Sequence, residues 1–274
     1  MIDMPLLNHH VVAVIENEWA QLRRNKVALF TILAPPVLLL SVGLAILLLV
    51  SLMDVTGDRG GYVSGWQVPQ HVQGTDTPAN SIQLVRNTLL NPLLALFQVI
   101  PLVVPMTIAS YSVVGEKQSR SLEALLATPV HTWELLLGKA LAAALPALLA
   151  TWLSFDIFAV AARLWLDPTR YSDLIVSPAW LLTMILVTPL LTMLAVEAGI
   201  IISSRVKEAQ SAQQLSSIII LPVLATLVGQ MAGVVNLSVG FVLTAGVVIG
   251  LADTALLFIA VRLFNRETIL TTWR

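Results

Sequence analysis

Three acidic residues are embedded in apolar sequence, Asp156, Glu197 and Asp253, and their type and setting could do chemistry in a 274-residue chain. A carboxylate at mid-bilayer costs about 2.5–3.5 kcal/mol on insertion scales, so each is expected to face protein or water and to have a partner. Such groups either line a path for a cation or cationic substrate, or act as protonated or hydrogen-bonded carboxyls that fix helix register; both readings stand. Glu197 falls near the inner end of its apolar stretch, within reach of Arg205 or Lys207. Asp156 and Arg163 are seven residues apart, about two helical turns on one face. Asp253 has no cation nearby in sequence and follows Gly250 by three residues. The constellations of hydrolytic and metal enzymes are absent: there is no His-Glu-x-x-His, no Gly-x-Ser-x-Gly, no Asp-rich cluster, and His9–His10 lacks ligand spacing, so no metal site is expected. With no cysteine there is no disulfide, thiolate nucleophile or Cys-based cluster. A phosphate-binding loop, Gly-x4-Gly-Lys-(Ser/Thr), is also missing; Gly138-Lys139 ends such a pattern only superficially, because Trp133 and Ala140 occupy the other required positions.

The elements that must position these residues follow from composition. Hydrophobic residues make up 57% of the chain and charged residues only 11%, whereas a soluble domain carries about 25% charged. A soluble enzyme and a disordered chain are excluded on that count, and a net charge of −1 leaves no basic footprint for nucleic acid. Crossing a bilayer core about 30 Å thick takes about 20 apolar helical residues. Six stretches meet that length: 27–53, 90–113, 140–165, 178–203, 215–235 and 239–264. The expected fold is an all-α integral membrane protein of one domain, with 1–26 as an amphipathic interfacial helix, 54–89 as an external loop and 114–139 as a cytoplasmic segment. Positive charge concentrates at Arg23, Arg24 and Lys26, at Lys117, Arg120 and Lys139, at Arg205 and Lys207, and in the tail, so both termini are expected in the cytoplasm of an inner or plasma membrane protein. Prolines fall in five of the six spans and read equally as static kinks or as hinges. Two small-residue motifs, Gly229-x-x-x-Gly233 and Gly246-x-x-x-Gly250, favour packing of the fifth span on the sixth over a seam between two copies.

The N-terminal arm carries Val11, Val14, Ile15, Trp19 and Leu22 at helical spacing, as an interfacial helix would. Between the second and third spans, Glu116, Arg120 and Glu123 lace one helix face with opposite charges, and Leu122, Leu125 and Leu126 form a short apolar stripe. Gly115 allows the membrane helix to end, Thr128-Pro129 stops the short helix, and Thr132 caps the next. Composition leaves this element as either an interfacial anchor or a docking knob, with its brevity and mixed charge favouring protein over lipid.

The run Gly115-Glu116-Lys117, Ser121-Leu122-Glu123-Ala124-Leu125-Leu126-Ala127-Thr128-Pro129-Val130 and Glu134-Leu135-Leu136-Leu137-Gly138-Lys139 closely resembles the type-2 permease family of ATP-binding-cassette exporters. It departs from the usual pattern in having Arg120-Ser121 where Gly-Thr is commoner. The stretches Ser204 to Gln214 and Leu263 to Leu270 resemble the sodium-exporter-like and multidrug-exporter-like branch, so the resemblance covers nearly the whole chain. It implies that the second-to-third connection is a coupling helix seated on a separate ATPase subunit, with a smaller contact from the connection holding Arg205 and Lys207. It further implies a working unit of two permeases, as a homodimer or a pair of similar chains, and two ATPases, with ATP and magnesium bound by the partner and no cofactor or catalytic residue here. Two other classes were weighed: a self-sufficient cation-coupled transporter using Asp156 and Asp253, and an intramembrane enzyme, which lacks every motif sought.

Overall fold

The computed structural model describes residues 4–24, 26–57, 90–118, 132–166, 177–206 and 208–263. The surface helix expected within 54–89 therefore lies outside the described residues from 58 onward, as do most of the charge-laced segment (119–131) and the tail motif from 264. In chain order the helices are α1 (Met4–Arg24), α2 (Lys26–Gly57), α3 (Asn91–Phe97), α4 (Ile100–Gln118), α5 (Thr132–Trp165), α6 (Pro178–Leu182), α7 (Thr188–Arg205), α8 (Ala209–Ser216), α9 (Leu221–Met231) and α10 (Val239–Leu263). A π-helical turn, Thr183–Val187, joins α6 to α7, and a 3-10 turn, Ser217–Ile220, joins α8 to α9.

Six helical stretches are long and apolar enough to cross a membrane: Ala28–Leu52, Asn91–Ser112, Leu137–Trp165, Pro178–Arg205, Gln210–Met231 and Val239–Ala260. The sixfold pattern matches the sequence expectation, with two boundaries moved. The third span begins earlier, because α5 runs unbroken from Thr132 through Gly138 and Lys139. The fifth begins earlier and ends at Met231, so the fourth-to-fifth connection shrinks to a few residues around Val206.

Prolines shape the second and fourth spans. Pro101 cannot donate a backbone hydrogen bond, and the second span breaks between α3 and α4 at Gln98–Val99. In the fourth span the Thr188 N–H reaches back to Thr183 O, and Pro189 has no N–H for the next carbonyl, that of Met184. The indole of Trp152, on the third span, donates to that oxygen instead at 3.0 Å. A membrane-buried backbone tolerates such a break only when a neighbour satisfies the freed group.

The core gathers the first four spans. Phe97 packs edge-on to Phe155 and Phe158, at centroid distances of 6.4 and 5.3 Å, and Trp180 closes the cluster against both phenylalanines of the third span. Gly43 of the first span lies under these rings, 3.3 Å from Phe158 when a Cβ is placed on it. Buried Phe97, Ile100, Val104 and Ile108 run along the second span, with Ala143, Ala144 and Ala147 opposite on the third. Small residues on one helix facing large ones on another let backbones approach closely, which drives packing in lipid, where no hydrophobic effect separates helix from helix.

Candidate functional site

The charge-laced segment leaves the membrane at the end of α4 and returns at the start of α5. Of its expected coupling residues, Gly115 and Glu116 fall in the last turns of α4. Arg120, Leu122, Glu123, Leu125, Leu126, Thr128 and Pro129 lie outside the described residues. Arg205 ends α7 with its side chain exposed, and Lys207 is also outside the described residues.

The frame that holds this segment is fully on view. Lys139 on α5 donates from Nζ to Glu18 Oε1 on α1 at 2.6 Å and to Ser112 Oγ on α4 at 2.7 Å, and Ser112 Oγ donates to the same carboxylate oxygen at 2.9 Å. The Lys139 and Glu18 side chains are only 6% and 5% exposed. One buried clamp therefore ties together the helix entering the segment, the helix leaving it and the N-terminal helix. Two further contacts reinforce it. The Trp19 indole donates to the Ala142 carbonyl at 3.0 Å. Gly138 lets α1 lie against α5, for a Cβ there would fall 2.8 Å from Val14 Cγ1 and 2.9 Å from its Cβ. Sequence reasoning singled out neither Glu18 nor Ser112. The available signal was position: Glu18 follows Val14 by four and Ile15 by three, so it is a lone charge on the apolar stripe of α1.

The intramembrane acids are arranged differently from the sequence expectation. Glu197 does not pair with Arg205, which points outward two turns away; it stands within electrostatic range of Asp253 across the α7–α10 contact. Glu197 Oε2 and both Asp253 oxygens are buried without a hydrogen-bond partner. Asp156 is exposed on the outer face of α5 beside Trp152 and Val160, and among the described residues it forms no ion pair with Arg163, also exposed. The two acids brought together are thus Glu197 and Asp253.

The glycine motifs also have other uses. Gly233 lies beyond the end of α9 with φ +71°, a left-handed conformation that terminates the helix, and the Val234 and Val235 amides bond back to Gly229 O at 2.9 and 3.0 Å. Gly229 makes room for Val235 of that same turn. Gly246 meets Leu186 of the fourth span, 2.9 Å from a Cβ placed there, whereas Gly250 faces open space. The sixth span thus packs on the fourth and α9 on α3. Between the fourth, fifth and sixth spans lies a cavity of about 950 Å³, lined mostly by aliphatic side chains. The physical reason for the correction is that Gly233 stops a helix instead of extending a flat strip along it.

At the base of the fifth span, α8 is fastened to the second by Gln213, whose Nε2 donates to Thr107 Oγ1 at 2.9 Å. Both inner connections are thereby anchored to α4. The family model described as ABC-2 family transporter protein matches residues 12–265. No curated protein matches the chain.

Proposed function

The chain belongs to the ABC-2 family of transporter proteins, and from that premise we propose that it is an exporter permease driven through the 119–131 segment by a separate ATPase. A permease subunit of an ATP-binding-cassette transporter is the coarse identity that the family carries. The finer reading places the segment in the cytoplasm, seats it on an ATPase that binds ATP and magnesium, and pairs this chain with a second permease, in the first instance another copy of itself. Likeness to the sodium- and multidrug-exporter branch belongs to the same proposal.

The observation that carries it is the Glu18–Lys139–Ser112 clamp. A segment pushed by another protein transmits force only if its two legs do not slide on each other. Here they are joined at their base in a dehydrated ion pair whose loss is costly, so displacement of the segment must carry α1, α4 and α5 together. The test is co-purification from native membranes. The natural chain is expected to bring down an ATPase in equal amount. Leu125→Asp is expected to insert normally and lose that partner, and retention of the ATPase by this variant would overturn the docking role.

A second reading is favoured by one observation, the unpartnered carboxyls of Glu197 and Asp253. In that reading the chain couples cation movement to transport by itself. Ion-driven uptake by the purified chain without any ATPase, abolished in Asp253→Asn, would support it; ion-independent transport strictly requiring the ATPase would remove it.

A further inference from the structure

The cavity between the fourth, fifth and sixth spans has a chemistry of its own. On the fourth span its wall runs from Thr183 to Ile202 and on the sixth from Phe241 to Leu256, about 28 and about 22 Å of helix at 1.5 Å per residue. It is therefore a long slot parallel to the helices, and its 950 Å³ sits at the upper end of the roughly 300–1,000 Å³ typical of ligand pockets. Among the described residues lining it, none is charged. The polar groups on the wall are mostly occupied: Thr183, Thr226 and Thr244 donate to carbonyls of their own helices, and Gln98 bonds Thr188 at 3.0 Å.

Gln230 is the exception. It ends the fifth span, is only 5% exposed, lines the slot and leaves Oε1 buried with no partner. Leaving a buried amide oxygen unsatisfied is unfavourable, so a ligand that reaches it with a hydrogen-bond donor gains what the protein alone forgoes. A hydroxyl both donates and accepts, and so satisfies the amide in either of its two orientations. An ammonium or a carboxylate would have to enter an uncharged slot without a counter-ion.

We infer that this slot binds an uncharged single-chain lipid bearing one terminal hydroxyl, with the hydroxyl on Gln230 and the chain lying between the fourth and sixth spans. The inference rests on the permease reading only for setting these helices in a bilayer. Binding is measured on the purified chain without an ATPase, so failure of coupling and failure of binding are seen separately.

The probe is hexadecanol carrying a diazirine near its methyl end, photolysed with the full chain in nanodiscs and mapped by mass spectrometry. Labelling is expected on the facing residues of the fourth and sixth spans. Unlabelled hexadecanol is expected to compete at least tenfold more strongly than hexadecyltrimethylammonium. Gln230→Leu is expected to weaken the alcohol about fivefold, the loss of one hydrogen bond, without moving the label. Ala245→Phe and Leu194→Trp fill the slot from opposite walls, and whichever elutes as the natural chain does is expected to lose the label. Equal competition by the cation, unchanged affinity in Gln230→Leu, or labelling that persists in a filled slot would each overturn the inference.

Discussion

The second span and the last two spans are all apolar helices, yet they are used in opposite ways. In the second span 82% of the most apolar stretch is buried inside the protein, against 12% in the fifth and 17% in the sixth. Hydropathy alone does not separate them, at 2.0, 1.6 and 2.2. The difference lies in shape and polar punctuation. The second span carries Phe97, Gln98, Thr107 and Ser112, each touching another helix, while the sixth turns Val247, Val248, Leu251 and Phe258 outward. In lipid such outward faces cost nothing, so a helix is recruited to the interior by specific contacts and not by greasiness. One half of the molecule is a knitted frame around the segment at 119–131; the other is a loosely attached pair of helices bordering a cavity. Force belongs to the first half and ligand to the second.

The contrast can be broken most severely at the clamp. Removing one member, as in Lys139→Ala or Glu18→Ala, is expected to cost about 3–5 kcal/mol, because it strands a buried charge. The double replacement Glu18→Leu with Lys139→Met is expected to recover most of that loss, as read by thermal unfolding in detergent. A double variant as unstable as the sum of the singles would show that the pair is not coupled. Next in size, Gly138→Ala forces Val14 and the whole of α1 away from α5 and is expected to cost about 1–3 kcal/mol; an unshifted transition would mean that α1 is not held there. Gly233→Ala places a side chain at φ +71° and is expected to cost about 1–2 kcal/mol, confined to proteolysis of the turn after α9. At the small end, Val247→Leu on the outer face of the sixth span is expected to change stability by less than about 0.5 kcal/mol. A larger loss in the bilayer would place that face against protein.

The spans were legible because about 20 uninterrupted apolar residues have few other uses. What sequence reasoning missed were pairings over distance. Glu18 and Lys139 are 121 residues apart, and each reads locally as an ordinary charge near a membrane surface. Glu197 was assigned to nearby Arg205 because local spacing favours the neighbour in sequence, whereas the helix crossing brings Asp253 alongside. Gly229-x-x-x-Gly233 illustrates the converse: a spacing rule holds only while the helix continues, and Gly233 is where it stops. The break at Gln98–Val99 was only partly foreshadowed by Pro101, since a proline shows where a hydrogen bond is lost but not which neighbour compensates.

The natural chain has no cysteine, so a single Leu125→Cys substitution reports on the 119–131 segment without background. A membrane-impermeant maleimide applied to sealed vesicles of opposite orientation, with and without the co-expressed ATPase, tests the central claim most directly. Labelling of inverted vesicles alone, with protection when the ATPase is bound, is the predicted result. Labelling from the outer face, or equal labelling with and without the ATPase, would contradict it.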